Sequence, residues 1–359
     1  SEPDDDHRRD AVRYGLIAEN PLERLALASG LFPTPMLEAY GAAFSRALMV
    51  ATKLGVFDTL AGGPLTAREV AAQRGADPRA VEKLLNLLVA MRYVRSSGTG
   101  EYRLSSIARR WLVGNGARNV RDTVLMKFLE WRWIEGLEDF VRSGEPVDVH
   151  ATMTKEDWGL DQRGMRAQAS LSGPLLARRM PVPPQAQTML DIGGPHGHFS
   201  VAICRRHAGL RAVVLDLPQA VEQAAPLLEA ERMGERVTLR AGDALTDDLG
   251  TEAFDVILVF SLVHHFDDAT NRSLVARAAR ALRAGGLLVI GDLPRPESPR
   301  TSGALDAFYD LYFALTSRSG LWSLAEMADW QRAAGLRPRK PIRLVPGQAV
   351  ALQVAERVV

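Results

Sequence analysis

From residue 188 onward, short apolar runs alternate with longer amphipathic stretches. That rhythm predicts strands separated by helices. The strand-like runs are Thr188–Ile192, Arg211–Leu215, Arg236–Arg240, Phe254–Phe260 and Leu287–Ile290. Between the last two, Leu274, Ala278, Ala281 and Leu282 fall at i, i+4, i+7 and i+8, a stripe suited to packing on a sheet. This helix is expected to stop at Gly285-Gly286, with Asp268 as a possible cap. Regular alternation of this kind implies an α/β domain with a mostly parallel sheet covered on both faces. Near the end, Ile342–Leu344 and Ala349–Val354 flank Pro346-Gly347 and read as a terminal hairpin.

The first third follows a helical period. After a leader over residues 1–30, a helix is expected from Ala39 to Leu60, stopped by Gly62-Gly63-Pro64. Thr66 with Glu69 forms a capping-box signature, and Asp77-Pro78-Arg79 opens another helix through Leu84, Leu85, Leu88 and Val89. Tyr93–Arg95 and Tyr102–Leu104, joined by the Ser96–Gly100 turn, then give a hairpin, completing a winged-helix pattern. Such a pattern raises DNA binding as a function. The candidate reading segment Val81–Met91 is mostly aliphatic, however, where base and phosphate contacts require basic and polar side chains. Its apolar excess points to homodimerisation through these helices and away from nucleic acid.

Composition narrows the class further. A chain of 359 residues with 47% hydrophobic content is long enough for two or more domains, and a formal charge of +1 gives no long-range pull toward nucleic acid or an anionic membrane. The single cysteine, Cys204, lies on the helix after the first strand and reads as a buried structural thiol. An acidic N-terminal stretch and the lack of a long uncharged apolar span point to a cytoplasmic protein with no membrane association. No metal-ligand pattern stands out.

Chemistry concentrates where the strands end. The first runs into Asp191-Ile192-Gly193-Gly194-Pro195-His196-Gly197, a glycine turn opening a helix whose N–H groups and dipole suit a nucleotide-like ligand. Its glycine spacing does not fit the dinucleotide fingerprint G-x-G-x-x-G. The second strand ends in Asp216-Leu217-Pro218, where a carboxylate can hold ribose hydroxyls or cap a helix, and the third in Gly242-Asp243-Ala244. Beyond the fourth come Ser261-Leu262-Val263-His264-His265-Phe266 and beyond the fifth Gly291-Asp292. An imidazole there can take a proton from an acceptor hydroxyl, with Asp292 orienting it.

In this order the winged helix, linker helices and glycine-rich domain resemble the two-domain small-molecule O-methyltransferases of plant and bacterial secondary metabolism. The matching motifs are Leu54–Asp58, Tyr102–Ser105, Asp191–Gly194, Asp216–Pro218, Gly242-Asp243 and His264 with Asp268. The resemblance implies a Rossmann-like class I methyltransferase sheet preceded by an all-helical winged-helix dimerisation domain. Domain bounds are 31–115 for dimerisation, 116–180 for the linker helices and 181–359 for the methyltransferase domain. It implies S-adenosylmethionine as cofactor and S-adenosylhomocysteine as its product. Asp191, Gly193, Gly194, Asp216, Leu217, Gly242, Asp243, Ala244 and Ser261 are the implied cofactor residues. His264 matches the family base and Asp292 a carboxylate near it.

Departures leave the reaction open. Pro195-His196 stiffens the turn and removes one N–H donor. The usual His-Asp-Trp is His264-His265-Phe266, so either imidazole is a candidate base, and the family's late Glu-Arg-Thr segment has no clear counterpart near Ser317–Trp322. Members of this fold also run hydroxylation, decarboxylation or pericyclic reactions, and nitrogen or carbon acceptors are alternatives to a hydroxyl. The acceptor is expected to be a flat aromatic or polyketide-like small molecule, with Trp131, Met165, Phe308 and Tyr312 lining its pocket.

Overall fold

The computed structural model describes residues 16–18, 20–114, 119–298, 302–317, 319–344 and 350–358. The first half of the expected leader, the Pro346-Gly347 turn and Ala349 lie outside the described residues. The chain forms two compact units, Tyr14–Phe128 and Leu129–Val359. The boundary falls inside a helix, so the expected linker stretch 116–180 is divided between them.

The first unit carries α1 (Pro21–Ala28), α2 (Thr34–Ala39), α3 (Gly41–Lys53), α4 (Val56–Ala61), α5 (Ala67–Arg74), α6 (Pro78–Ala90) and α7 (Ser106–Trp111). One continuous helix from Ala39 to Leu60 is not what forms. Gly55 adopts φ +71°, a left-handed residue that ends α3 and restarts the chain as α4. The capping box is present, with the Glu69 N–H donating to Thr66 Oγ1 at 3.3 Å and the Thr66 N–H to Glu69 Oε2 at 2.7 Å. Asp77 caps α6 by accepting from the Ala80 N–H at 2.8 Å. The wing pairs β2 (Val94–Ser96) with β3 (Glu101–Leu104), and β1 (Leu65–Thr66) adds a third strand against β3. Two residues are too few to read as a strand by period.

The apolar side chains assigned to a partner surface mostly serve this unit itself. Val81, Leu85 and Leu88 of α6 are buried in its own core with Phe57, Leu60 and Val70. Exposed instead are Leu22, Leu25, Leu31, Met36, Tyr40 and Phe44, on and between α1, α2 and α3.

The second unit begins within α8 (Arg121–Ile134) and continues through α9 (Leu137–Ser143), α10 (Val149–Thr152) and α11 (Lys155–Arg179). Then follow β4 (Thr188–Ile192), α12 (His198–Arg206), β5 (Arg211–Asp216), α13 (Pro218–Glu229), β6 (Val237–Ala241), β7 (Phe254–Phe260), α14 (Asp268–Ala281), β8 (Leu282–Asp292), α15 (Ala304–Thr316) and α16 (Leu324–Ala333). Three short closing strands, β9 (Arg337–Pro338), β10 (Ile342–Arg343) and β11 (Ala351–Glu356), complete the unit.

The eight-stranded sheet runs β10-β11-β8-β7-β4-β5-β6, with β9 beside β11. Neighbours from β6 to β8 pair in parallel, whereas β11 is antiparallel to β8, and the expected hairpin appears with Ile342 opposite Leu352. Side chains alternate between two cores: Met189 faces one with Leu176 of α11 and Ile203 of α12, while Leu190 and Ile192 face the other with Leu274 of α14 and Trp330 of α16. Asp267, not Asp268, caps α14 by accepting from the Thr270 N–H at 2.8 Å. Asp268 begins the helix and accepts from Trp330 Nε1 at 2.7 Å. Nor does α14 run to the glycines: β8 starts at Leu282, and Gly285, at φ +75°, sits within it beside a register irregularity against β7.

Candidate active site

In a parallel sheet the loops at the strand C-termini share one edge, so the tips of β4, β5, β6, β7 and β8 meet there. At the centre is Asp191, 1% exposed. Its Oδ2 accepts from Ser200 Oγ at 2.6 Å, while Oδ1 is buried without a partner. Burial pushes this carboxyl up to about 7. Gly193 takes φ +80°, and a Cβ on Gly194 would stand 2.8 Å from Asp191 Oδ1, so only glycine keeps the carboxylate's approach clear. The Pro195-His196 departure is absorbed locally: His196 Nδ1 accepts from the His198 N–H at 3.2 Å, and burial holds its ring neutral, down to about 3.

Asp216 ends β5 with its carboxyl raised by burial to about 7, although Oδ1 accepts from the Leu217 N–H at 2.7 Å. Gly242 donates to the Asp216 carbonyl at 2.9 Å, which brings the β6 tip alongside. Asp243 Oδ1 accepts from the Leu245 N–H at 2.8 Å, and Ala244 packs against the core below. Ser261, at φ +53°, turns the chain out of β7 and donates to the Gly291 carbonyl at 2.8 Å. Cys204 is buried on α12, its thiol pushed up to about 11 by burial.

The next residues form a short 3-10 turn, Val263–His265. Its shape is held by side chains from elsewhere: Asn271 Nδ2 donates to the Val263 and Phe266 carbonyls, each at 2.9 Å, and Trp322 Nε1 reaches the same two at 3.1 and 3.3 Å. His264 is 3% exposed and Asp292 2%. His264 Nδ1 lies 3.0 and 2.9 Å from Asp292 Oδ1 and Oδ2. A carboxylate only accepts, so the Nδ1 that faces Asp292 is the nitrogen that carries a proton, leaving Nε2 as the free position of the ring. Phe313 of α15 stacks on this ring, centroids 3.7 Å apart and 23° from parallel.

His265 is placed differently. Its Nδ1 is 2.8 Å from Ser317 Oγ, and its ring lies 4.4 Å from that of His264 and 5.4 Å from that of His150. Burial and the neighbouring histidines hold it neutral, well below the usual imidazole range. The geometry thus separates two imidazoles that the sequence left equivalent: only His264 is paired with a carboxylate.

Of the expected pocket residues, Phe308 and Tyr312 are brought together, stacked with centroids 5.8 Å apart, and Tyr309 and Phe313 continue the aromatic ladder. Trp131 and Met165 are half-buried on α8 and α11. Sequence reading missed Asp161, a carboxyl on α11 raised to about 7 by burial, Glu130 and Asp216. It also missed Ser200 and Ser317 as contacts. Helical periods assign such residues to a face but not to the strand tip they meet.

The sequence matches two family models, an O-methyltransferase dimerisation domain over residues 37–114 and an O-methyltransferase domain over residues 150–335. It is 30% identical to the tetracenomycin polyketide synthesis 8-O-methyl transferase of Streptomyces glaucescens, over 81% of this chain and 87% of that protein. It is 27% identical to the 3-hydroxy-5-methyl-1-naphthoate 3-O-methyltransferase of Streptomyces sahachiroi, over 89% and 91%. The fold is similar to that of human N-acetylserotonin methyltransferase, solved in complex with S-adenosylmethionine, with a TM-score of 0.81, 20% identity and coverage of 95% and 99%.

Proposed function

The chain belongs to the O-methyltransferase family and is an S-adenosylmethionine-dependent methyltransferase; from that premise we propose that it methylates a hydroxyl of a small aromatic or polyketide-like metabolite, with His264 as general base. The observation that carries this reading is the buried His264–Asp292 pair beside the glycine turn. The two Streptomyces relatives, named for polyketide and naphthoate methylation, support the acceptor class.

The cradle's residues fit the cofactor. Asp191 Oδ1 is an orphaned buried acceptor, and because a Cβ on Gly194 would crowd that carboxylate, the glycine lets the turn close over it. Asp216 and Asp243 offer carboxylates for the ribose and the adenine side, and Gly193, Leu217, Gly242, Ala244 and Ser261 shape the remaining wall. When bound, the cofactor supplies a methyl group already activated by a positively charged sulfur. The chain's task is then alignment and proton removal. The aromatic ladder, with Trp131 and Met165, orients the ring of the acceptor. His264 Nε2 takes the hydroxyl proton, while Asp292 fixes the tautomer and stabilises the imidazolium that results.

The exposed apolar side chains of α1, α2 and α3 support a homodimer built on the first unit. Among the described residues no helix is long and apolar enough to cross a membrane. The near-neutral charge supports a small-molecule acceptor over nucleic acid, and the buried free thiol of Cys204 supports a cytoplasmic setting. The test is incubation with S-adenosylmethionine and hydroxylated naphthoate or polyketide-like acceptors, read by mass spectrometry. One added methyl with matching S-adenosylhomocysteine is expected. Product formed without cofactor consumption would move the protein to non-methyl chemistry.

A further inference from the structure

We propose that the acceptor carries a carboxylate on its aromatic ring, and that His265 with His150 binds it. This deepens the reading above and rests on it for the place of the hydroxyl at His264. Imidazoles run outward from the base in a row: His264 is 3% exposed, His265 half-buried and His150 exposed. The ring of His265 lies 4.4 Å from that of His264 on one side and 5.4 Å from that of His150 on the other. Both outer rings are held in place. Ser317 Oγ, just beyond α15, meets His265 Nδ1 at 2.8 Å. Trp158 of α11, 8% exposed, stacks on His150 with centroids 5.5 Å apart and planes 13° from parallel. The segment leading into α10 is tied to the same end of α15, where the Val147 N–H donates to the Leu315 carbonyl at 2.7 Å.

The acids on the elements that carry this row are committed elsewhere. Asp292 faces His264, and Asp148 Oδ1 caps α10 by accepting from the Ala151 N–H at 3.1 Å. Asp157, next to Trp158, pairs with Arg132 at 2.6 Å, and Asp267, two residues past His265, caps α14. Among the described residues histidines meet carboxylates at His198 and His264, and not at His150 or His265. Burial and the flanking imidazoles keep His265 neutral. A carboxylate from the ligand reverses that balance. Once protonated, either tautomer donates from both nitrogens, and the contact becomes a charge-assisted hydrogen bond. A ligand hydroxyl or carbonyl offers a hydrogen bond but no charge to hold the extra proton.

The test is calorimetry on the S-adenosylhomocysteine-loaded protein, with hydroxynaphthoic acids of varied substitution against their primary amides. The acid of the best pair is expected to bind about tenfold or more tightly than its amide, the worth of one charge-assisted hydrogen bond. Its binding takes up a proton, so the heat depends on the buffer and the ratio grows as pH falls from about 8 to about 6. His265→Gln keeps hydrogen bonding but cannot be charged. It is expected to bring the ratio to about one and abolish the buffer dependence, whereas loss of a merely structural residue would weaken acid and amide alike. His150→Gln, at an exposed position that does not put the fold at stake, is expected to reduce the ratio about threefold.

Amides that bind as well as every acid, or a ratio unchanged in His265→Gln, overturn the proposal. So does a ratio lost in His264→Gln and kept in His265→Gln, since the base would then hold the anion. Carboxylate selectivity without methyl transfer to any hydroxyl would support this site and overturn the hydroxyl-acceptor reading alone. Methyl transfer to hydroxyls without carboxylate selectivity would overturn this site alone.

Discussion

The proposed cofactor edge and the proposed acceptor wall lie in one unit but are built by different means. At the tips of β4, β5 and β6 the backbone does most of the work: a left-handed Gly193, a Gly194 that makes room for the Asp191 carboxylate, and carboxylates placed by strand ends. At the tips of β7 and β8 the work passes to side chains from distant segments, with His264 paired to Asp292 and covered by Phe313. Backbone-built sites tolerate little change in shape and suit an invariant ligand. Side-chain-built sites can be altered one residue at a time.

If this division holds, substitutions should separate the two halves. His264→Ala is expected to lower kcat by about 10²–10⁴-fold with little effect on S-adenosylhomocysteine affinity, since it removes the proposed general base. Steady-state kinetics with calorimetry checks this, and near-normal turnover would remove the base role. Gly194→Ala acts on the other half: its Cβ meets the Asp191 carboxylate at 2.8 Å, and cofactor affinity is expected to fall by about tenfold or more. Asp216→Asn is expected to weaken cofactor binding by about tenfold, the cost of a lost charge-assisted hydrogen bond. An unchanged dissociation constant would shift ribose recognition elsewhere.

The pH dependence of stability gives a subtler contrast. Asp191 and Asp216 ionise near 7 when folded, well above the unfolded carboxyl. Their protonated forms therefore favour the fold. The stability they contribute is fully present below about pH 4 and is lost as pH rises through about 7. Thermal unfolding of the cofactor-free protein should show this component flattened in Asp191→Asn and Asp216→Asn but not in His264→Ala. The smallest effect concerns Cys204: the buried, raised thiol is expected to resist iodoacetamide in the native protein and react only on unfolding.

The same contrast explains what the sequence revealed. Strands β4 to β7, the Thr66–Glu69 capping box and the tip carboxylates are local signals, each contained in a few adjacent residues. The break at Gly55 was harder, because helical period continues across it and only its positive φ ends α3. Likewise the choice between His264 and His265 depends on Asp292 and Ser317, 28 and 52 residues away. Asp161 carried no motif at all; its burial and acidic neighbours arise when α8, α11 and the β5 tip come together.

The turn at Val263–His265 separates what holds a shape from what performs a reaction. Asn271 and Trp322 grip its carbonyls, so neither imidazole is required to maintain the backbone path. The two histidines are in this sense an exchangeable insert in a fixed mount. Replacing them should yield folded proteins that still present an orienting aromatic wall beside the cofactor cradle, a practical starting point for installing other chemistries in the same chain.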